Sequence, residues 1–251
     1  AMQLIEKNFL SLDDTIDKYL PNFKNLKKLK SLTSKLDDTI KIDKTPTVRQ
    51  LLQHTAGFTY NSSNNFLAEG YEEKKLFHSS SRSLEEEIES ISGLPLLYEP
   101  GSEWHYSISI DILARILEVV TKDKLLNILK ENIFHPLEMD ETNFFISEDK
   151  NKNLVETFEY NSVKSKLTDL TLDTRKLILY GYPTNNENYC RGGHGLFSTA
   201  ADYIKFATML INGKDKNAKP LVNMETLQSM RRNSLDRNLL PIEITSTNTI
   251  K

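Results

Sequence analysis

Glu99-Pro100-Gly101-Ser102-Glu103-Trp104-His105-Tyr106-Ser107, followed by Ile108-Ser109-Ile110-Asp111-Ile112-Leu113-Ala114-Arg115-Ile116-Leu117, is the stretch from which the fold is read. Pro100-Gly101 is a tight-turn dipeptide. It delivers the chain's one tryptophan, a histidine and a tyrosine to the foot of the next element. From Ser109 to Val120, the residues Ile112, Leu113, Ile116, Leu117 and Val120 recur at helical spacing, which predicts a helix with one apolar face. Side chains just ahead of a helix N-terminus sit in the positive end of its dipole, where an anionic oxygen is favoured. A tyrosine phenol titrates at about 10 in water, so a base working at neutral pH needs a cation beside it. Two readings stay open at this point: Tyr106 as a catalytic base, or an aromatic cluster capping a core.

Outward from this stretch, helix signals dominate. Ser83-Leu84-Glu85-Glu86 is a capping box, with Leu84, Ile88 and Ile91 on one face and Gly93 at the stop. Val48 to His54 predicts a short helix after Pro46, closed by Gly57. Ser11-Leu12-Asp13-Asp14 is a capping-box variant that predicts a helix ending before Pro21. On the other side, a helix from about Lys124 to Phe134 is expected to stop at Pro136. Residues 147–190 are irregular, with a candidate strand from Val155 to Tyr160. Thr199 and Asp202 then open a helix whose lining face is Tyr203, Phe206, Ala207 and Leu210, ended by Asn212-Gly213. A last helix, roughly Met224 to Arg231, follows Asn223.

Composition bounds the function classes. The 251 residues are 38% hydrophobic and 27% charged, ordinary for a chain with a buried core, and the net charge of −3 argues against a dedicated nucleic-acid binder. Lys24 to Lys30 therefore reads as a solvated surface segment. No apolar run approaches the roughly 18 residues of a membrane span. A single cysteine, Cys190, excludes an intrachain disulfide and Cys-based zinc frameworks. Nine glycines in this length tilt the fold toward helix. No metal and no cofactor are expected: His54, His78, His105, His135 and His194 show no ligand-pair spacing. His54 reads as a histidine complementing a helix C-terminus. Arg191-Gly192-Gly193-His194-Gly195-Leu196 lets a backbone approach a ligand or another strand closely. It lacks the nucleotide-binding fingerprints, so a tight strand-to-helix connection is the favoured reading.

Taken together, three segments resemble one family. Leu51-Leu52-Gln53-His54-Thr55-Ala56-Gly57-Phe58, Pro100 to Ser107, and Gly192-Gly193-His194-Gly195-Leu196-Phe197-Ser198-Thr199-Ala200-Ala201-Asp202-Tyr203 stand in the order and spacing of the beta-lactamase-related serine hydrolases. That family includes class C beta-lactamases, D-alanyl-D-alanine carboxypeptidases and lipase-like esterases. The resemblance implies a nucleophile and ammonium in a Ser-x-x-Lys, a tyrosine acting as general base, a third motif on a sheet edge, and a backbone oxyanion hole. Tyr106 matches the tyrosine, with Ile108 where an asparagine would stand, a change that leans toward ester substrates. Trp104, Ser107, Gly192 and Gly193 are the substrate-binding candidates that follow.

The resemblance places Ser-x-x-Lys ahead of Ala1 and the third motif beyond Lys251. Ser147-Glu148-Asp149-Lys150 matches the pattern, but it follows the tyrosine in an acidic segment and reads as chance. Ala1-Met2-Gln3-Leu4-Ile5 reads as the middle of a helix, with no signal-peptide pattern ahead of it, and Thr245 to Lys251 closes on a polar run. The expected architecture is mainly α, partial α+β: a beta-lactamase/transpeptidase-like fold with the N-terminal and C-terminal sheet strands missing. Residues 1–251 then form a single partial domain, mostly the helical subdomain. The expected function is part of a serine hydrolase acting on a small-molecule ester or amide, inactive alone for want of its nucleophile. The alternative is a non-catalytic helical binding module that kept the family scaffold.

Overall fold

A computed structural model describes residues 1–60, 66–76, 82–147, 149–150, 153–155, 158–161, 166–169 and 190–242. Helices dominate it: α1 (Met2–Glu6), α2 (Val48–Gln53), α3 (Phe66–Glu73), α4 (Leu84–Ser90), α5 (Ser109–Thr121), α6 (Leu125–Leu129), α7 (Ala200–Asn212) and α8 (Met224–Arg231). The described strands form two antiparallel pairs, β1 (Lys27–Leu29) with β2 (Thr39–Lys41) and β3 (Phe158–Asn161) with β4 (Lys166–Asp169). The registers set Lys28 opposite Ile40 and Glu159 opposite Thr168.

The central helix is the one the periodicity predicted. Ile112 and Ile116 of α5 are fully buried, and with Ile108, Leu113 and Leu117 they join Val48, Leu51, Phe58, Ile88 and Leu96 in the main core. Two charged side chains of α5 go inside as well. Glu118 accepts the Leu125 N–H at 3.0 Å and pairs with Arg115 at 3.1 Å, so it fixes the start of α6. Asp111 faces the glycine-rich segment described below. α4 carries its predicted reciprocal cap: Ser83 Oγ accepts from Glu86 N–H and Glu86 Oε2 accepts from Ser83 N–H. Ser83→Ala is expected to cost about 1 kcal/mol in urea unfolding, the usual worth of such a cap.

Three local expectations are corrected. Residues 11–14 form a turn, and between them and Pro21 the described helical structure is one 3₁₀ turn, Ile16–Lys18. The hydrogen bonds explain this: Ile16 donates to Pro46 O, while Val48 and Arg49 donate to the carbonyls of Asp14 and Leu12. Backbone groups a helix needs are already committed to the segment entering α2. Next, α6 does not stop at Pro136. It passes through a π-helical turn, Lys130–Phe134, into His135–Leu137, and Glu138 ends it with φ 54°. The wider turn is set just ahead of the residue that lacks an N–H. Finally, α7 has its Thr199 cap and its Gly213 stop, yet Tyr203 is 64% exposed. Its buried residues are Asp202 and Met209, the latter in a small second core with Phe134, Leu137, Met139 and Val222. Asp202 donates its N–H to the Thr199 cap and its carboxylate is a tether, accepting from Glu141 N–H at 2.8 Å and Thr142 Oγ1 at 3.0 Å. Within the stretch expected as a strand from Val155 to Tyr160, β3 is described from Phe158, and residues 156–157 lie outside the described residues. His78 and most of residues 147–190 lie outside the described residues.

Candidate active site

The site is built where two irregular segments run side by side, residues 54–60 after α2 and residues 96–108 before α5. Four backbone bonds lace them: Leu97 N–H to Gly57 O and Gly101 N–H to Thr55 O, both 2.7 Å, His105 N–H to His54 O at 2.9 Å, and Ile108 N–H to Thr59 O at 3.3 Å. Gly57 makes the approach possible. Its φ is +88°, and a Cβ there would stand 2.7 Å from the Tyr98 carbonyl oxygen. Thr47 and Gln50 form a reciprocal cap on α2, and His54 ends that helix with φ 56°.

This lacing sets Tyr106 at the surface, 55% exposed, against the rings of His54 and Tyr60. The centroid separations are 4.9 Å to His54 at 37° and 5.4 Å to Tyr60 at 36°. Trp104 meets His54 edge-on at 6.2 Å. The structure therefore brings Trp104 and Tyr106 together through His54. Ser107 lies beneath them, 1% exposed: its Oγ is 2.7 Å from Ser109 Oγ, and its N–H donates to His54 Nδ1 at 3.3 Å. Ile108 is fully buried in the core, so its side chain is an anchor for the start of α5.

His54 does more than close a helix. Burial, helped by the neighbouring His105, holds its imidazole below the ordinary histidine range. A neutral ring that accepts from Ser107 N–H does not complement the helix dipole as a cation. Its observed place is against Tyr106. His105 is likewise held low by burial, with Nε2 2.9 Å from Thr59 Oγ1.

Gly192 and Gly193 dock on α5. A Cβ on Gly192 would stand 2.3 Å from Ile110 O and 2.7 Å from Ala114 Cβ. Gly193 N–H donates to Asp111 Oδ1 at 3.0 Å. The segment is nailed from behind by Arg191, which is buried and reaches Glu87 Oε1 at 3.4 Å and the Arg82 carbonyl at 3.1 Å. The run's close approach is thus made to a helix. Sequence reasoning missed Tyr60 against the tyrosine, Asp111 beside Gly193 and Thr59 at His105. The available signal was Asp111 itself, a carboxylate interrupting an otherwise apolar helix start.

Two groups here titrate in opposite senses. Burial pushes the Asp111 carboxyl up to about 6 from 3.8, against the pull of the Gly193 N–H and Arg191. Burial, then Arg191, pushes His194 down to about 4 from 6.5. For His194 the unfolded chain takes up its proton first, so stability present above pH 6.5 is lost as the pH falls toward 4. For Asp111 the folded chain binds the proton more tightly, so stability present below pH 3.8 is lost as the pH rises through 6. The two partly cancel in wild type. His194→Gln is expected to lose less stability than wild type as the pH is lowered, followed by urea midpoints, and an unchanged slope contradicts the assignment.

Among the described residues, no group of three or more His, Cys, Asp or Glu side chains is placed to hold a metal ion, and no helix is long and apolar enough to cross a membrane. Against known proteins, the family model described as Beta-lactamase matches residues 1–239. An uncharacterized protein of Mycobacterium tuberculosis is 25% identical over 237 residues, 94% of this chain and 56% of that protein. The lovastatin esterase of Penicillium rubens is 25% identical over 230 residues, 88% of this chain and 53% of the esterase. The unliganded, selenomethionyl structure of simvastatin synthase from Aspergillus terreus superposes with a TM-score of 0.73 at 26% identity, covering 94% of this chain and 55% of that one. The chain spans about half the length of the curated relatives it matches. With residues 1–239 matched and the tyrosine segment, His54 segment and glycine run assembled around α5, the chain belongs to the beta-lactamase family and has its beta-lactamase/transpeptidase-like fold.

Proposed function

We propose that this chain is the tyrosine-bearing part of a serine hydrolase of the esterase and acyltransferase kind, acting on small-molecule esters or amides. The observation that carries the reading is Tyr106: an exposed phenol held between laced segments at the foot of α5, with a buried polar network below it. In such an enzyme the tyrosine takes the proton from a serine hydroxyl as that oxygen attacks the acyl carbon, then returns it to the departing group. The names of the lovastatin esterase and simvastatin synthase support an ester substrate. Trp104, beside the tyrosine through His54, is the side chain placed to touch an acyl group. Ser107, Gly192 and Gly193 support the site from beneath and behind.

In this reading the 251 residues hold the base without its nucleophile. The one Ser-x-x-Lys match ends in Lys150, an exposed ammonium 2.6 Å from Glu141. An ammonium neutralised by a carboxylate is a poor partner for a nucleophile. Tyr203, Ile204 and Ile211 of α7 stand 64–71% exposed, an apolar face that in this reading a further element of the family fold would cover. The test is hydrolysis of a chromogenic ester and a chromogenic cephalosporin by this chain and by one extended at both ends with its own coding sequence. Acyl-enzyme and turnover are expected from the longer chain alone. Turnover by the 251 residues overturns the reading, and a longer chain that is also silent favours a binding module.

A further inference from the structure

Tyr60 and Asp111 are not absorbed by the mechanism above, and they meet at one point. The Tyr60 ring lies against the Tyr106 ring, centroids 5.4 Å apart and tilted by 36°, and the Tyr106 side chain helps to hold the proton on Tyr60. The Tyr60 hydroxyl also rests on Gly193: a Cβ added there would stand 2.9 Å from Tyr60 Oη and 2.8 Å from Asp111 Oδ2. Phenol and carboxylate therefore converge over one bare backbone carbon. Asp111 is fully buried, its Oδ1 takes the Gly193 N–H, and its Oδ2 has no hydrogen-bond partner among the described residues. A buried carboxylate oxygen left without a donor is costly, and one against a phenol acts on it through its field.

We propose that Tyr60 is a positioning residue for Tyr106, its hydroxyl donating to the Tyr106 oxygen and its place set by the Asp111 carboxyl across the side-chain-free Gly193. The inference rests on the reading of Tyr106 as the general base. Burial, then the charge of Asp111, keeps the proton on Tyr60, so it serves as donor. It has one proton to give, and with Oδ2 unpartnered that proton faces Tyr106. A donor on the oxygen that must lose and regain a proton favours its deprotonated form. The proton of Tyr60 stays on Tyr60 throughout. The polar groups around this chain of contacts are His54 at Tyr106, Asp111 at Tyr60, and Arg191, Glu87 and the two glycine N–H groups at Asp111.

The experiment uses the longer, nucleophile-containing chain with a chromogenic ester. Tyr60→Phe keeps the ring and removes the hydroxyl. It is expected to lower kcat about tenfold to a hundredfold with KM unchanged, the usual scale for one hydrogen bond to a charged group. The acid limb of its kcat/KM profile is expected to move to higher pH. Gly193→Ala is expected to give a loss of the same size, with no further loss when combined with Tyr60→Phe, because both break one unit. Asp111→Asn shifts the profile the same way, and with Tyr60→Phe it carries the test if Gly193→Ala does not fold. A Tyr60→Phe enzyme with wild-type kcat and profile overturns the proposal while a silent Tyr106→Phe leaves the base assignment standing. An active Tyr106→Phe overturns the base assignment and the proposal with it.

Discussion

Glu87→Ala is expected to destabilise the fold by about 3–5 kcal/mol, seen as a lowered urea midpoint at unchanged slope. The size follows from what remains behind. Glu87 and Arg191 are both fully buried and their charged ends are 3.4 Å apart. Removing the carboxylate takes a buried countercharge from a guanidinium in the core, whose other contacts include the carbonyls of Cys190 and Arg82. The same variant loosens residues 190–193, which hold the glycines on α5. Replacing both partners, Glu87→Leu with Arg191→Met, is expected to recover most of the loss, since a well-packed apolar pair avoids the desolvation of two ions. A Glu87→Ala protein within 1 kcal/mol of wild type contradicts this placement of the charge pair.

The second large effect is on chemistry. In the longer chain, Tyr106→Phe is expected to lower kcat for ester hydrolysis by about 10²–10⁴-fold, the range for removing a general acid–base group. Far-UV circular dichroism and urea midpoint are expected to stay close to wild type. Tyr106 is 55% exposed, and phenylalanine keeps the ring contacts to His54 and Tyr60. A loss of activity that comes with a loss of fold would point to packing instead.

Local signals were legible where the backbone had no competing offer. The Ser83 box and the apolar repeat of α5 both appear as read, because each satisfies its own hydrogen bonds within one turn or one face. The variant box at residues 11–14 makes its own side-chain bonds, Asp14 Oδ2 from Ser11 N–H among them, and still yields a turn. There the neighbouring donors and acceptors are claimed by residues 46–49, a partner more than thirty positions away that no local pattern announces. The face expected on α7 appears in part. Phe206 and Leu210 pack on the second core beside Met209, whereas Tyr203 is exposed, because what a period packs against decides burial.

The site was legible in one residue and opaque in its surroundings. Tyr106 stands out through its segment, with a turn before it and a helix after it. Its partners do not, because Tyr60 and Asp111 reach one another across Gly193, three residues from three separate parts of the chain. His54 was read from its place at a helix end, which is correct. What the position could not convey is that a left-handed residue there swings the ring onto Tyr106 and leaves it neutral. The glycine run carried the right physical message, close approach, with the wrong partner in view.

The most direct test of the central claim is covalent labelling of the 251-residue chain with a serine-reactive fluorophosphonate, followed by intact mass. If Tyr106 is a base separated here from its nucleophile, as proposed, no stoichiometric adduct is expected, while the chain extended at both ends gains one on a single serine. A stoichiometric adduct on any serine of the 251 residues, abolished by Tyr106→Phe, would contradict it.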